Sequence, residues 1–263
     1  MVFKSIQAEN VNEGLFIPEV QKIVKRGKLI VLMIKNDYNP LFSMKQPNGE
    51  RVGVDIDISK KLANALGVDL EIRDCYDKYD DVVDAIAKGE GDIGISKLSY
   101  TVERARKVIF SSPYVLLKKG LLINRVNLSK NRNTPILKDL LNRKESQILI
   151  SPGSYVNFTN VIFPDATVIQ SQKWDTEGLT KLAEGEYLAA FRDELRIRLA
   201  LREQPRLSIH LLPVILKEEA DPIHMIVNKN NFGFLLWVDY FLENYMHAYT
   251  LDQLFNEYGK YLR

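Results

Sequence analysis

Residues 84–97 read DAIAKGEGDIGISK, and residues 180–193 read TKLAEGEYLAAFRD. Both run through a helical apolar pattern, an Ala-x-Gly-Glu stop, a short apolar strand and then polar or charged residues. A glycine closing a helix just before an apolar run marks one helix-to-strand unit. Its return about half a chain later predicts two related α/β lobes. Any helix-Gly-strand unit looks somewhat alike, and the shared Ala-x-Gly-Glu core counts against that rival reading.

The same rhythm extends outward from both copies. IPEVQKIVKRG predicts a helix, KLIVLMI (28–34) a buried strand, DIDISKKLANALG a helix and VDLEIRDC a strand. SQILISPG, ATVIQS and PIHMIVNK predict further strands, and ELRIRLALRE and the two closing segments, FGFLLWVDYFLENYMHAY and TLDQLFNEYGKYLR, predict helices. This βαβαβ order calls for an α/β fold with a largely parallel sheet. FSSPY (110–114) reads as an aromatic and proline stop, and the residues after Leu212-Pro213 as a polar stretch.

Composition narrows the function classes. With 263 residues, 46% apolar and a net charge of +2, the chain is an ordinary globular protein of one large or two small domains. That charge is too small for a nucleic-acid or membrane-surface field, so no nucleic-acid partner is expected. Cys75 is the sole cysteine, and His210, His224 and His247 lack metal-ligand spacing. No metal and no cofactor are expected. Residues 1–14 show no basic start followed by an apolar run, so no signal peptide is read there. Residues 232–246 are too short, and too interrupted by Asp239 and Glu243, to span a bilayer.

Ligands of open α/β sheets bind beyond the carboxyl ends of strands. Four such ends carry chemistry: Asp37 and Tyr38; Ser96 to Arg104; Ser151 to Tyr155; and Arg192 with Asp193. In SKLSYTVER, Thr101 is placed to cap a helix, with Arg104 at its third position. An arginine there opposes the helix dipole and asks for a compensating anion, which its planar fork would grip bidentately. The alternative is a solvated arginine on a basic helix. Asp193 likewise has two readings, a partner for an ammonium or the N-cap of ELRIRLALRE. An arginine and an aspartate on separate lobes would together clamp an α-amino acid.

These residues resemble a known family, the amino-acid-binding proteins of bacterial ABC uptake systems (family 3 extracellular solute-binding proteins). The likeness runs from about residue 20 to 263 through EVQKIVKRGKLIV, NGERVGVDIDISKKLANALG, IAKGEGDIGISKLSYTVERARKVIFSSPY, SPGS, LAEGEYLAAFRDE and TLDQLFNEYGKYL. The most specific element is G-x-x-D, a hydroxyl-rich loop, T-x-E-R and F-S-x-P-Y. The resemblance implies a two-lobed type II periplasmic binding (Venus-flytrap) fold with two crossing strands at the hinge. Lobe 1 would comprise residues 1–116 and 220–263, and lobe 2 residues 117–219.

It further implies that Arg104 grips the ligand carboxylate, helped by Ser99 and by backbone N–H groups near Lys97, and that Asp193 takes the amino group. Gly153 and Ser154 would approach from the second lobe, and Tyr38 would flank the ligand side chain. Ser96, Asp37 and Arg192 complete the expected set. The implied function is capture of an amino acid in the inter-lobe cleft and delivery to an ABC permease. It would be performed by a non-enzymatic monomer in the periplasm or another extracytoplasmic space. Alternatives are a sensing domain of a membrane receptor or transporter, and a cyclohexadienyl dehydratase. Against the enzyme, PGSYVNF (152–158) lacks the acidic residue those enzymes carry after the glycine.

Three departures stand out. Lys97 occupies a position that is usually small, often glycine, in the family. Leu188 replaces an aspartate of the second G-x-x-D unit, and DYNPLF (37–42) replaces the usual D-Y-P-P-F. Lys97 and Arg192 favour an acidic or polar ligand.

Overall fold

The computed structural model describes residues 17–35, 41–134 and 136–262. They form two compact units, one running up to Leu116 and resuming at Pro222, the other spanning Leu117–Asp221.

The first unit opens with α1 (Pro18–Arg26) and β1 (Lys28–Ile34), then a small hairpin of β2 (Met44–Lys45) and β3 (Arg51–Val52). Next come α2 (Val54–Leu66), β4 (Asp69–Tyr76), α3 (Tyr79–Lys88), β5 (Ile93–Ser99) and the single turn α4 (Val102–Ala105). Gly27, Gly67 and Gly89 end α1, α2 and α3 with φ of 75°, 69° and 81°, the left-handed conformation that the helix-Gly-strand reading required. β1 pairs in parallel with both β4 and β5. One face of this sheet buries Leu32, Val82, Val83, Ile86, Leu98 and Ile226.

The chain leaves this unit within β6 (Val108–Asn124). This 17-residue strand runs through the predicted stop at FSSPY. Proline's fixed φ is compatible with an extended strand and removes only one N–H from the ladder, so Pro113 interrupts bonding without ending the strand.

The second unit continues with α5 (Arg125–Lys130), α6 (Leu137–Leu141), β7 (Gln147–Ile150), α7 (Ser154–Ile162) and β8 (Thr167–Gln170). A π-helical turn at Trp174–Gly178 precedes α8 (Leu179–Glu184), β9 (Ala189–Asp193), α9 (Glu194–Glu203) and α10 (Leu207–His210). β7 is parallel to β8 and β9, while β6 is antiparallel to β9. Leu121, Ile123, Ile148, Ile150 and Phe191 enter one core, and Leu122, Leu149 and Ala190 another. Alternate residues thus bury on opposite faces, which is why Ile148, Leu149 and Ile150 are all apolar instead of alternating with polar residues. Each fully buried aliphatic side chain contributes about 1.5–3 kcal/mol.

The return is β10 (Leu211–Asn228), far longer than the predicted PIHMIVNK and antiparallel to β5. The residues after Leu212-Pro213, expected as a polar stretch, belong to this strand, whose charges mask it in the sequence. Then α11 (Phe232–Tyr245), β11 (Tyr249–Thr250) and α12 (Leu251–Tyr258) follow, with β11 parallel to the first part of β6. Each unit's sheet is therefore mixed, with the antiparallel pairings supplied by the two long strands β6 and β10, of which only the PIHMIVNK part of β10 was predicted.

Candidate functional site

The carboxyl end of β5 gathers most of the predicted residues of the first unit. Ser96, Ser99, Thr101 and Arg104 are all buried. Ser96 Oγ accepts the N–H of Ile34 at 3.1 Å, tying β5 to the end of β1. Thr101 Oγ1 accepts the Arg104 N–H at 3.2 Å, the predicted N-cap of α4.

Arg104 is only 6% exposed, so the solvated-arginine alternative does not hold. Its Nε donates to Asp80 Oδ1 at 2.8 Å and its Nη1 to the Ser99 carbonyl at 2.9 Å. Asp80, from the first turn of α3, supplies the anion that a buried arginine at a helix start requires. Neither Arg104 Nη2 nor the Ser99 hydroxyl has a hydrogen-bond partner among the described residues. Both remain able to donate to an incoming carboxylate.

Lys97 is the one non-glycine with positive φ, 45°, among the described residues. Its ammonium lies 5.9 Å from the ring centroid of Phe42. The smaller residue the family usually carries there now has a physical reason, because glycine adopts this conformation without steric cost. Below it lie two groups that the sequence reading passed over. Lys97 N–H donates to Tyr114 Oη at 3.2 Å, and Tyr114 Oη donates to Asp55 Oδ1 at 2.6 Å. Burial pushes the Asp55 carboxyl up to about 7, against the pull of Tyr114 and Lys97. Desolvation together with the neighbouring Asp55 charge raises Tyr114 well above the ordinary phenol range.

Asp37 and Tyr38 lie outside the described residues.

In the second unit Gly153 precedes α7 with φ of 111°, and a Cβ there would meet nothing within 4 Å. Conformation, not crowding, calls for the glycine. Ser154 is the first residue of α7. Asp193, 1% exposed, ends β9 and accepts the Arg196 N–H at 3.0 Å, so it is the N-cap of α9. Arg196 Nε in turn donates to Asp175 Oδ1 at 2.7 Å. Arg192 Cζ stands 5.5 Å from the ring centroid of Tyr155 and 5.8 Å from that of Trp174. Among the described residues its buried Nε has no hydrogen bond, and Asp193 Oδ2 lies 3.9 Å away. Tyr155 Oη donates to Asp221 Oδ2 at 2.9 Å, and burial, with the Asp221 and Asp193 charges, raises its pKa well above the usual value. The aromatic walls around Arg192 carry no motif that sequence reading detects.

No group of metal-ligating side chains is present among the described residues, and no described helix is long and apolar enough to cross a membrane.

The α/β order, the two units joined through β6 and β10, and these two strand ends define a solute-binding fold of the type II periplasmic class. The chain belongs to the bacterial extracellular solute-binding proteins, family 3, whose profile matches residues 30–261. It is 32% identical over 173 residues to a glutamine-binding protein of Geobacillus stearothermophilus, covering 64% of this chain and 61% of that protein. It is 22% identical over 245 residues to membrane-bound lytic murein transglycosylase F of Desulfosudis oleivorans, covering 90% of this chain and 50% of the relative. The chain thus spans about half to three fifths of the length of these relatives. Among solved structures it resembles an ancestral amino acid-binding protein described as a precursor of cyclohexadienyl dehydratase. The TM-score is 0.67 at 25% identity, covering 91% of this chain and 98% of the other. Named relatives therefore include both binding proteins and enzymes.

Proposed function

We propose that this chain is a non-enzymatic binding protein that captures an amino acid outside the cytoplasm, acts as a monomer and passes its ligand to an ABC-type permease. Arg104 carries the reading. It is a buried guanidinium at a strand's carboxyl end, with Nη2 and the neighbouring Ser99 hydroxyl still able to donate. A carboxylate is the group that this donor pair fits. Asp193 takes the ligand ammonium, with Gly153 and Ser154 contributing from the start of α7. Lys97 and Arg192 favour an acidic or polar side chain, in keeping with the glutamine-binding relative.

Isothermal titration with a panel of amino acids tests this. Wild type is expected to bind at least one zwitterion, and Arg104→Ala to lose about 2–5 kcal/mol of affinity. Arg104→Lys, which keeps the charge but not the fork, is run beside it with a melting curve for each variant. The reading is overturned if no zwitterion binds, or if folded Arg104→Ala binds as wild type does.

The transglycosylase relative, of which this chain spans 50%, supports a second reading, a ligand-sensing module of a longer membrane protein. A gene encoding transmembrane or catalytic segments in frame with these residues would favour it. Prephenate or arogenate turnover abolished by a pocket substitution would instead favour a dehydratase.

A further inference from the structure

Strand β5 is irregular at the point where it carries the candidate site. Its pairing with β10 joins Ser99 to Ile223 and Leu98 to His224, then resumes with Gly94 opposite Ile226. From Leu98 to Gly94 β5 advances four residues while β10 advances two, from His224 to Ile226. Two residues are therefore extra on β5, and Lys97, with its φ of 45°, falls within this bulge. A bulge re-aims the residues that follow it, and such irregularities gather beside functional sites. A lysine in the left-handed region is strained and persists only where its surroundings over-determine it.

The surroundings here are specific. Tyr114 and Asp55 are each 1% exposed, and their 2.6 Å hydrogen bond ends on the Lys97 N–H. Asp55 is itself fixed at the second residue of α2. The preceding Gly53 has φ of 126°, and a Cβ there would stand 2.3 Å from the Phe42 carbonyl oxygen. The Asp55 N–H donates to that same carbonyl at 3.0 Å. The Phe42 ring packs edge-on to Tyr114, with centroids 6.4 Å apart. Two buried polar side chains are thus devoted to one peptide N–H.

We propose that Tyr114 and Asp55 are positioning residues: together they hold the Lys97 peptide in its left-handed conformation and so set the course of residues 97–104 on which Ser99 and Arg104 act. The proposal rests on the reading of that segment as the carboxylate-binding segment. The groups facing the pair are Lys97 from β5 and, toward Tyr114, Tyr79 from the start of α3. Because the carboxyl loses its proton near neutrality, ionisation strengthens the bonds it accepts, and the Lys97 amide senses that step.

Amide NMR and a double-mutant cycle test this together. In wild type the Lys97 amide resonance is expected to titrate with a midpoint near neutral pH, and in Asp55→Asn the titration disappears. Tyr114→Phe is expected to weaken binding of whichever panel amino acid binds wild type by about ten-fold. Lys97→Gly, which removes the need to force the turn, should restore that affinity to within about two-fold. The same pair should couple in the unfolding constant by about ten-fold, about 1.4 kcal/mol. If Tyr114→Phe does not fold, Asp55→Asn replaces it in the cycle. Strict additivity with Lys97→Gly, or a Lys97 amide indifferent to pH, overturns the proposal. If wild type binds no amino acid, the proposed function falls, while the amide titration and the unfolding cycle still decide whether the pair holds the turn.

Discussion

The ends of β5 and β9 are built alike. In each, the residue after the strand's apolar core caps a helix, and the arginine three positions later donates its N–H to that cap. In each, the arginine Nε bonds an aspartate from an earlier helical segment, the first turn of α3 in one and the π-helical turn before α8 in the other: Thr101, Arg104 and Asp80 in the first, Asp193, Arg196 and Asp175 in the second. The differences lie in what surrounds this shared frame. β9 pairs with β6 in unbroken register from Ala189 to Asp193 and leads into the ten-residue α9. β5 is bulged, carries a lysine with positive φ and leads into the four-residue α4. Arg104 also reaches the Ser99 carbonyl, whereas Arg196 continues along its own helix to Glu203 at 3.6 Å. The frame itself is a device for burying an arginine at a helix start. Irregularity, not the frame, singles out the β5 end.

The largest expected effect breaks the likeness between the two arginines. Arg104→Ala and Arg196→Ala should each cost about 1–3 kcal/mol of stability, since each removes charge-assisted hydrogen bonds. Only Arg104→Ala should in addition lose about 2–5 kcal/mol of ligand affinity. Equal affinity losses by titration calorimetry would mean that both arginines serve structure alone.

Next in size is a pH dependence that belongs to the β5 side. The Asp55 carboxyl keeps its proton up to about 7 in the folded protein but loses it near 3.8 when unfolded. Its contribution is therefore fully present below about 3.8, is lost as pH rises to about 7 and is flat beyond. Urea unfolding of wild type should show stability falling over that window by about 4 kcal/mol. Asp55→Asn should remove this slope, and a slope unchanged by the substitution would assign it to other groups.

The smallest effect compares the caps. Thr101→Ala should cost about 0.5–1 kcal/mol and Asp193→Ala about 1–2 kcal/mol, because the second supports a longer helix with a charged acceptor. Thermal melts resolve the difference, and a costlier Thr101 would show that α4 is supported more by its cap than by packing.

Much of this was legible in residue order. The helix-Gly-strand units at 84–97 and 180–193 appear as α3–β5 and α8–β9, with Gly89 and Gly185 both left-handed. The Thr101 cap and the position of Arg104 followed from local spacing. The strand through FSSPY and the first half of β10 did not, because proline and charge mask a strand whose partners are distant in sequence.

Sequence by itself determined the family, the α/β order and the residue types at both strand ends, since these depend on neighbours within one or two turns of chain. Only the tertiary structure decided that Arg104 is buried against Asp80, 24 positions away. It alone showed that Lys97 stands in a glycine-like conformation above Tyr114 and Asp55. Those outcomes depend on which distant groups lose water together, and local spacing carries no record of that.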